Sequence, residues 1–333
     1  MPPDPHPLDT APGLDVAIAR AAELVRDADA LLIGAGAGIG VDSGLPDFRG
    51  DHGFWRAYPP LAARGIRFVE IANPHSFEAD PALAWGFYGH RLALYRNTVP
   101  HEGFAILHAL AARGIRFVEI ANPHSFEAHP ALAWGFYGHR LALYRATVPH
   151  EGFAFLRALG ASLPHGAFVF TSNVDGQFQR AGFDADRVVE VHGSIHHLQC
   201  TRPCSGAIWT ADQVTPRVDP STCLMAPPLP ACPRCGALAR PNILMFNDSR
   251  WLEARSDAQY ERFTAWRARV RRPVVIELGA GTDVPSVRRL CESQRAPLIR
   301  INPREPAVAG GKGVGIAAGA LDALRRLREA LAI

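Results

Sequence analysis

ADALLIGAGAGIGVDSG, residues Ala28 to Gly44, begins as a short apolar run and turns at once into a string of glycines. Ala28 to Ile33 reads as a buried strand, and Asp15 to Arg26 before it repeats its apolar residues at helical spacing. Further strand-like runs follow at Ala167 to Phe170, Arg187 to Gly193, Pro273 to Leu278 and Pro297 to Asn302, with helical patterns at Ser256 to Arg269 and Ala317 to Ala330. Strands alternating with helices predict an α/β fold, a Rossmann-like parallel sheet with helices on both faces. In such a sheet, the turn Gly34 to Gly44 is where backbone N–H groups and a helix start face a diphosphate. Tight strand-to-helix turns need glycine too, so a purely structural reading stands beside that one. The GxGxxG spacing of dehydrogenases fails, because its last position falls on Ile39, Val41 or Ser43, and a plain dehydrogenase is disfavoured.

The bulk composition narrows the field. With 333 residues and 48% hydrophobic content the chain can bury a sizeable core. A formal charge of +3 without any lysine/arginine stripe argues against a nucleic-acid partner. The opening MPPDPHPLDTAPG lacks the basic-then-apolar pattern of a signal peptide, and no apolar run is long enough for a membrane helix, so a cytoplasmic protein is expected. Of six cysteines, five fall between Cys200 and Cys235, which in a reducing compartment suggests metal ligands. Cys200, Cys204, Cys232 and Cys235 predict a tetrahedral structural zinc site with no position left open for chemistry. Because Cys200-x3-Cys204 is one residue wider than the usual knuckle, His196, His197 and Cys223 are substitute ligands.

The segment Leu61 to Ala109 recurs almost unchanged at Leu110 to Ala158, differing only at Asp80/His129, Asn97/Ala146, Ile106/Phe155 and His108/Arg157. So little drift marks a tandem duplication rather than a repeat array. Each copy predicts two helices separated by a Pro-His break, and one copy is expected to fill the normal place; the sequence leaves open which. The expected organisation is a discontinuous Rossmann-like domain (14–50, 160–195 and 241–333), a helical module (51–159) holding the duplication, and a zinc module (196–240).

Chemistry-bearing residues concentrate in FTSNVDGQFQRAGFDADRVVEVHGS, Phe170 to Ser194. Asn173, Asp175 and His192 stand at the ends of two predicted strands, where an open parallel sheet takes its ligand. An amide and a carboxylate there suit a carboxamide, and a histidine suits a general base near neutral pH, although a lone histidine is more often structural. Upstream, Asp47, Phe48 and Arg49 in SGLPDFRG fit a loop over a dinucleotide, with Arg49 on phosphate and Phe48 shielding a reactive sugar carbon; an ordinary surface loop is the alternative.

Taken together these stretches resemble the sirtuins, NAD-dependent protein lysine deacylases. The resemblance rests on GAGIGVDSGLPDFRG (Gly36 to Gly50), TSNVDGQFQRAG (Thr171 to Gly182), VHGS (Val191 to Ser194), the paired cysteines, RPNILMF (Arg240 to Phe246), GTDV (Gly281 to Val284) and Ile301-Asn302, in family order across nearly the whole chain. It implies that Asn173 and Asp175 take the nicotinamide carboxamide of NAD while Phe48 shields the anomeric carbon. His192 then removes a ribose proton, and lysine, nicotinamide and O-acyl-ADP-ribose are the products. It also implies NAD contacts from Gly36, Ala37, Gly38, Asp47, Arg49, Ser172, Val174, Gly281, Thr282 and Asn302, and pairing of an acylated-lysine peptide with the strand at Met245 to Asn247, including Phe246. The chain departs from the family at Gly40 (usually Ser), Ser172 (usually Gln), Asn247-Asp248 (usually Gly-Glu) and Asp283 (usually Ser). Tyr137 and Arg140, or their duplicates Tyr88 and Arg91, form the Tyr-x-x-Arg of sirtuins that prefer succinyl or malonyl lysine; an ordinary amphipathic helix explains the pair equally. NAD hydrolysis or ADP-ribosyl transfer at the same site, and an inactive NAD-binding protein disrupted by the duplication, are the competing readings.

Overall fold

The computed structural model describes residues 13–44, 120–219, 222–282, 284–311 and 313–332. Asp47, Phe48, Arg49, Tyr88, Arg91, Asp283 and the whole first copy of the duplicated segment lie outside the described residues.

Its centre is a parallel sheet of six strands in the order β11-β10-β9-β1-β2-β3. These are β1 (Ala30–Ala35), β2 (Ala167–Thr171), β3 (Val188–Glu190), β9 (Pro273–Leu278), β10 (Leu298–Ile301) and β11 (Val314–Ile316). The middle strands β1 and β9 are buried along their whole length, as their unbroken apolar runs require of strands covered on both faces. On one face lie α1 (Leu14–Arg26), α4 (Glu151–Ser162) and α8 (Ala320–Leu331), which share a core with Leu31, Ile33 and Val169. The other face carries α6 (Ala254–Arg267) and α7 (Ser286–Ser293), whose Phe263, Trp266 and Val287 cover Leu32, Phe168 and Val275. The strand expected at Ala28 to Ile33 thus sits two residues later, and β11 and α7 are elements the periodicity did not reveal.

A second lobe joins helices to the cysteine module. Here β4 (Gly193–Cys200), β5 (Ile208–Thr210) and β8 (Ala239–Ile243) form an antiparallel sheet, with a small hairpin of β6 (Val218–Asp219) and β7 (Leu224–Met225) beside it. Over them pack α2 (His124–Ala128) and α3 (Pro130–Ala146), bringing Phe126, Trp134 and Tyr137 onto Ile195, Leu198 and Met225. Trp134 is fully buried and its indole N–H donates to the Ala239 carbonyl at 2.9 Å, so the large ring contributes packing without leaving a polar atom unpaired. Gly135 permits this approach: a Cβ there would stand 1.9 Å from the Cys223 carbonyl oxygen.

All of α3, and α4 as far as Ala158, come from the second copy of the duplication. Phe153, Leu156 and Leu159 of α4 lie in the core beneath the large sheet, so this helix serves the sheet and, among the described residues, only helices α2 and α3 pack over the second lobe. Gly160 at its end lets it meet β2, since a Cβ there would come within 2.5 Å of the Ala167 Cβ; the corresponding residue after the first copy is Ala111.

Candidate active site at the junction of the lobes

Strand register sets the geometry. Thr171 pairs with Glu190 at the C-terminal edge of β2 and β3, so Asn173 and His192 each lie two residues beyond the last paired rung of adjacent strands. Neighbouring strands are about 4.8 Å apart, which places both side chains at one level above the sheet edge. The chain then enters β4 directly after His192, so this residue stands where the two lobes meet.

The glycine turn is held from both sides. Gly36 N–H donates to Leu278 O at 2.9 Å, and Gly38 N–H to Gly279 O at 3.1 Å. A Cβ on Gly38 would approach the Gly279 Cα to 2.7 Å, and Gly279 itself has φ +58°, so these glycines serve close backbone packing between the β1 and β9 turns. The structural reading of the glycines is therefore correct for Gly36 and Gly38. From this turn the Gly36 carbonyl accepts the Asn173 side-chain amide at 3.1 Å, while Thr171 Oγ1 accepts Asn173 N–H at 3.0 Å.

Asp175 is buried, and its Oδ1 accepts the Gln177 N–H at 3.0 Å. Burial pushes its carboxyl up to about 6, with Glu190 adding repulsion, while the Gln177 hydrogen bond and Arg140 pull the other way. The Asp175 carbonyl accepts His196 Nε2 at 2.9 Å, and the His196 ring backs the left-handed Gly176 at φ +69°. His192 is held neutral below the ordinary histidine value by burial, opposed by a hydrogen bond to the Ser172 backbone. That bond uses the Ser172 main chain, so replacing the family's usual glutamine leaves it intact. Two residues before His192, Glu190 is gripped by α6: its N–H donates to Gln259 Oε1 at 3.0 Å, its carbonyl accepts Ser256 Oγ at 2.9 Å, and its carboxylate pairs with Arg255.

The segment after β8 backs onto this site, with Leu244 N–H donating to His192 O at 2.9 Å and Phe246 N–H to Ala121 O at 3.2 Å. Met245 is buried and Phe246 is half exposed. Below them Arg240 and Asp248 form a buried bidentate ion pair at 2.7 and 2.9 Å. Asn247 has φ +55°, a conformation asparagine tolerates better than most residues, so the Asn247-Asp248 departure preserves the backbone that Gly-Glu supports in the family. The signals for Arg240, Asp248, His196 and Glu190 as supports of the site were absent from local spacing, because their partners lie elsewhere in the chain.

Tyr137 is buried with its ring stacked on Phe126 at 5.5 Å, and burial raises its hydroxyl well above the usual value. Arg140 lies over the rings of Phe136 and Tyr144 and donates from Nε to the Tyr144 hydroxyl at 3.0 Å. Ala37, Val174, Gly281 and Thr282 lie on the same C-terminal side of the sheet, in the turns after β1, β2 and β9. Asn302, buried just after β10, hydrogen-bonds Ala280 O at 3.0 Å.

At the far end of the second lobe the sulfurs of Cys200, Cys204, Cys232 and Cys235 all lie within 4.8 Å of one another, with two pairs at 3.7 Å. Tetrahedral zinc with Zn–S bonds of roughly 2.3 Å requires sulfur separations of about 3.8 Å, so the four thiolates fit that ion. His196, His197 and Cys223 are not in the cluster: His196 supports Asp175, and the Cys223 backbone lies against α3.

A doubly wound parallel sheet with a glycine turn and an Asn-Asp-His set at its C-terminal edge, joined to a four-cysteine module, defines a nucleotide-binding enzyme scaffold of one kind. The Sir2 family pattern matches residues 113–264, which begins within the second copy of the duplication. The chain is 28% identical over 316 residues to NAD-dependent protein deacylase 2 of Pyrobaculum aerophilum, covering 92% of this chain and 93% of that protein. It is 26% identical over 304 residues to the NAD-dependent protein deacylase of Aeropyrum pernix, covering 90% and 91%. Its fold matches the crystal structure of a Sir2 homolog–NAD complex with a TM-score of 0.58 at 22% identity, over 94% of each chain. The chain is thus similar to the Sir2 family over residues 113–264 and to NAD-dependent protein deacylases over most of its length.

Proposed function

We propose that this protein is an NAD-dependent protein lysine deacylase, releasing nicotinamide and forming O-acyl-ADP-ribose. The observation that carries the reading is the shared edge of β2 and β3: Asn173, Asp175 and His192 sit there beside the glycine turn, and Leu244, just after β8, hydrogen-bonds the His192 carbonyl. NAD supplies the scissile glycosidic bond and the ribose that receives the acyl group. Asn173 and Asp175 bind the carboxamide of the leaving nicotinamide, Asp175 as acceptor when ionised and donor when protonated. His192, neutral at physiological pH because of its burial, takes the ribose proton. The segment Met245 to Asn247, where Phe246 is half exposed, receives the peptide backbone by strand addition. This segment favours deacylation over NAD hydrolysis, which has no use for a peptide cleft.

The acyl group follows from α3. Tyr137 lies near Arg240 and Asp248, and Arg140 interacts with Asp175, so a chain entering between the peptide strand and Asp175 passes this face. An acyl carboxylate there would pair with Arg140, which supports a preference for succinyl or malonyl lysine. The structure of the Sir2 homologue Sir2Tm bound to a propionylated peptide concerns a neutral acyl chain.

Mass spectrometry of products from NAD with matched acetyl-, succinyl- and malonyl-lysine peptides tests both levels. O-acyl-ADP-ribose is expected, with succinyl or malonyl turnover exceeding acetyl. Nicotinamide release that ignores the peptide would replace deacylation by hydrolysis, and acetyl preference would remove the role of Arg140. Activity should fall at acid pH with a midpoint below 6.5, the ordinary histidine value, since His192 acts only when neutral and burial lowers its pKa. His192→Ala should abolish that limb together with the activity.

A further inference from the structure

We infer that Ser286 is a positioning residue for His192, its hydroxyl steering the ring so that Nε2 meets the ribose while the other nitrogen faces the Ser172 main chain. The inference rests on the deacylase reading and concerns only the step in which His192 takes a proton. Ser286 Oγ lies 3.5 Å from His192 Nε2, a contact between residues 94 positions apart in the chain.

The fold brings them together through α7. Its Val287 and Cys291 pack on β1 at Gly34, where a Cβ would stand 2.2 Å from the Cys291 sulfur and 3.1 Å from Val287 Cγ1. Glycine at that position thus lets the helix lie against the strand. From the same helix Arg288 Nε donates to Ala280 O at 3.1 Å, and Glu292 pairs with Arg300 at 2.7 Å, which in turn bonds the buried Glu277 at 2.6 Å. Held near its start and its end, α7 carries the half-buried Ser286 in its first turn to His192.

A neutral imidazole has one N–H and one lone pair. The Ser172 contact raises the ring's proton affinity, so the ring N–H donates there. With Nε2 turned to Ser286, that N–H is at Nδ1 and the lone pair is at Nε2. At 3.5 Å the hydroxyl stands beyond the roughly 2.7–3.2 Å of a strong bond, so it orients the ring without sealing the lone pair from a ribose hydroxyl. In the transfer step the ribose O–H bond breaks, an N–H bond forms at Nε2, and the oxygen's electron pair attacks the acyl carbon. The ring is then an imidazolium, which burial and the positive end of α7 both disfavour. Ser286 Oγ is an acceptor beside that new N–H, so its contribution arises when the proton arrives.

Two rates followed in one mixture of full-length protein, NAD, labelled nicotinamide and the acyl-lysine peptide that wild type turns over test this. Nicotinamide leaves the ribose as a neutral base and needs no proton acceptor, so label entering NAD reports the bond-breaking step. Deacylated peptide reports the step that uses His192. Ser286→Ala should lower deacylation about tenfold, the scale of one hydrogen bond to a charged group, and raise the ratio of exchange to deacylation by a similar factor. Ser286→Thr keeps the hydroxyl and should restore the wild-type ratio. A purely structural role would lower both rates together and leave the ratio unchanged; that result, or Ser286→Thr behaving like Ser286→Ala, overturns the role of Ser286 alone. Wild type that neither exchanges label nor deacylates the peptide sinks the deacylase reading, and this inference with it.

Discussion

Asp175→Asn should make the protein more stable while destroying its activity. The carboxyl is buried, and burial raises its pKa from 3.8 to about 6. A carboxyl whose folded value lies above its unfolded value binds protons more tightly in the folded state. Below both values it contributes nothing to the difference; as pH rises between them stability is lost, and above both the full cost persists. Taking 3.8 unfolded and about 6 folded, linkage gives a cost of about 2 kcal/mol at pH 5 and about 3 kcal/mol at pH 7.5. Asparagine is nearly isosteric, its side-chain oxygen still accepts the Gln177 N–H now bonded at 3.0 Å, and it carries no charge to bury. Urea denaturation of wild type and variant at both pH values measures the gain, while nicotinamide release should fall by at least about tenfold with the loss of a charged acceptor. A variant no more stable than wild type at pH 7.5, or equally stabilised at both pH values, would refute the assignment of a buried, destabilised carboxylate. Such a cost retained at the centre of the candidate site is the pattern expected where function opposes stability.

Other perturbations probe the second lobe. Arg240→Met leaves the fully buried Asp248 carboxylate without its partner and should cost about 3–5 kcal/mol in urea denaturation, most of it recovered by adding Asp248→Leu. Cys235→Ser should lose bound zinc and destabilise the module, whereas His197→Ala should keep full metal content by elemental analysis; the reverse outcome would reassign the ligands. Deleting residues 61–109 joins Pro60 to Leu110 and leaves every contact of α2, α3 and α4 described above available. That shortened chain should fold, bind zinc and melt no lower than the full chain, and failure to fold would mean that the first copy contributes to the native structure.

The parallel architecture was legible because its strands are continuous apolar runs and its turns are glycine-rich, both properties of adjacent residues. Pro273 to Leu278 coincides with β9 to the residue, and the four cysteines gather as their spacing implied. The short strand Val314–Ile316 escaped notice because three residues carry too little periodicity, and α7 because its Ser-Val-Arg-Arg start has a narrow apolar face. In the linear sequence Ser172 and Asn247-Asp248 were simply departures from the residues usual in the resembled family. In three dimensions the first contributes its backbone to His192, and the second supplies a left-handed asparagine and a buried partner for Arg240.

By itself the sequence determined the alternation of strands with helices and the cysteine cluster, and it singled out Asn173, Asp175 and His192, since these readings follow from residue types a few positions apart. Only the tertiary structure decided what those residues experience. Burial sets the protonation of Asp175 and His192, and α6 grips Glu190 from more than sixty residues away in the chain. The structure also shows the second copy's helix packed beneath the sheet. Forty-five of 49 paired positions are the same, so local propensity cannot distinguish the copies. Gly160 following the second copy, where Ala111 follows the first, lets its helix approach β2, and that distinction exists only where two distant segments meet.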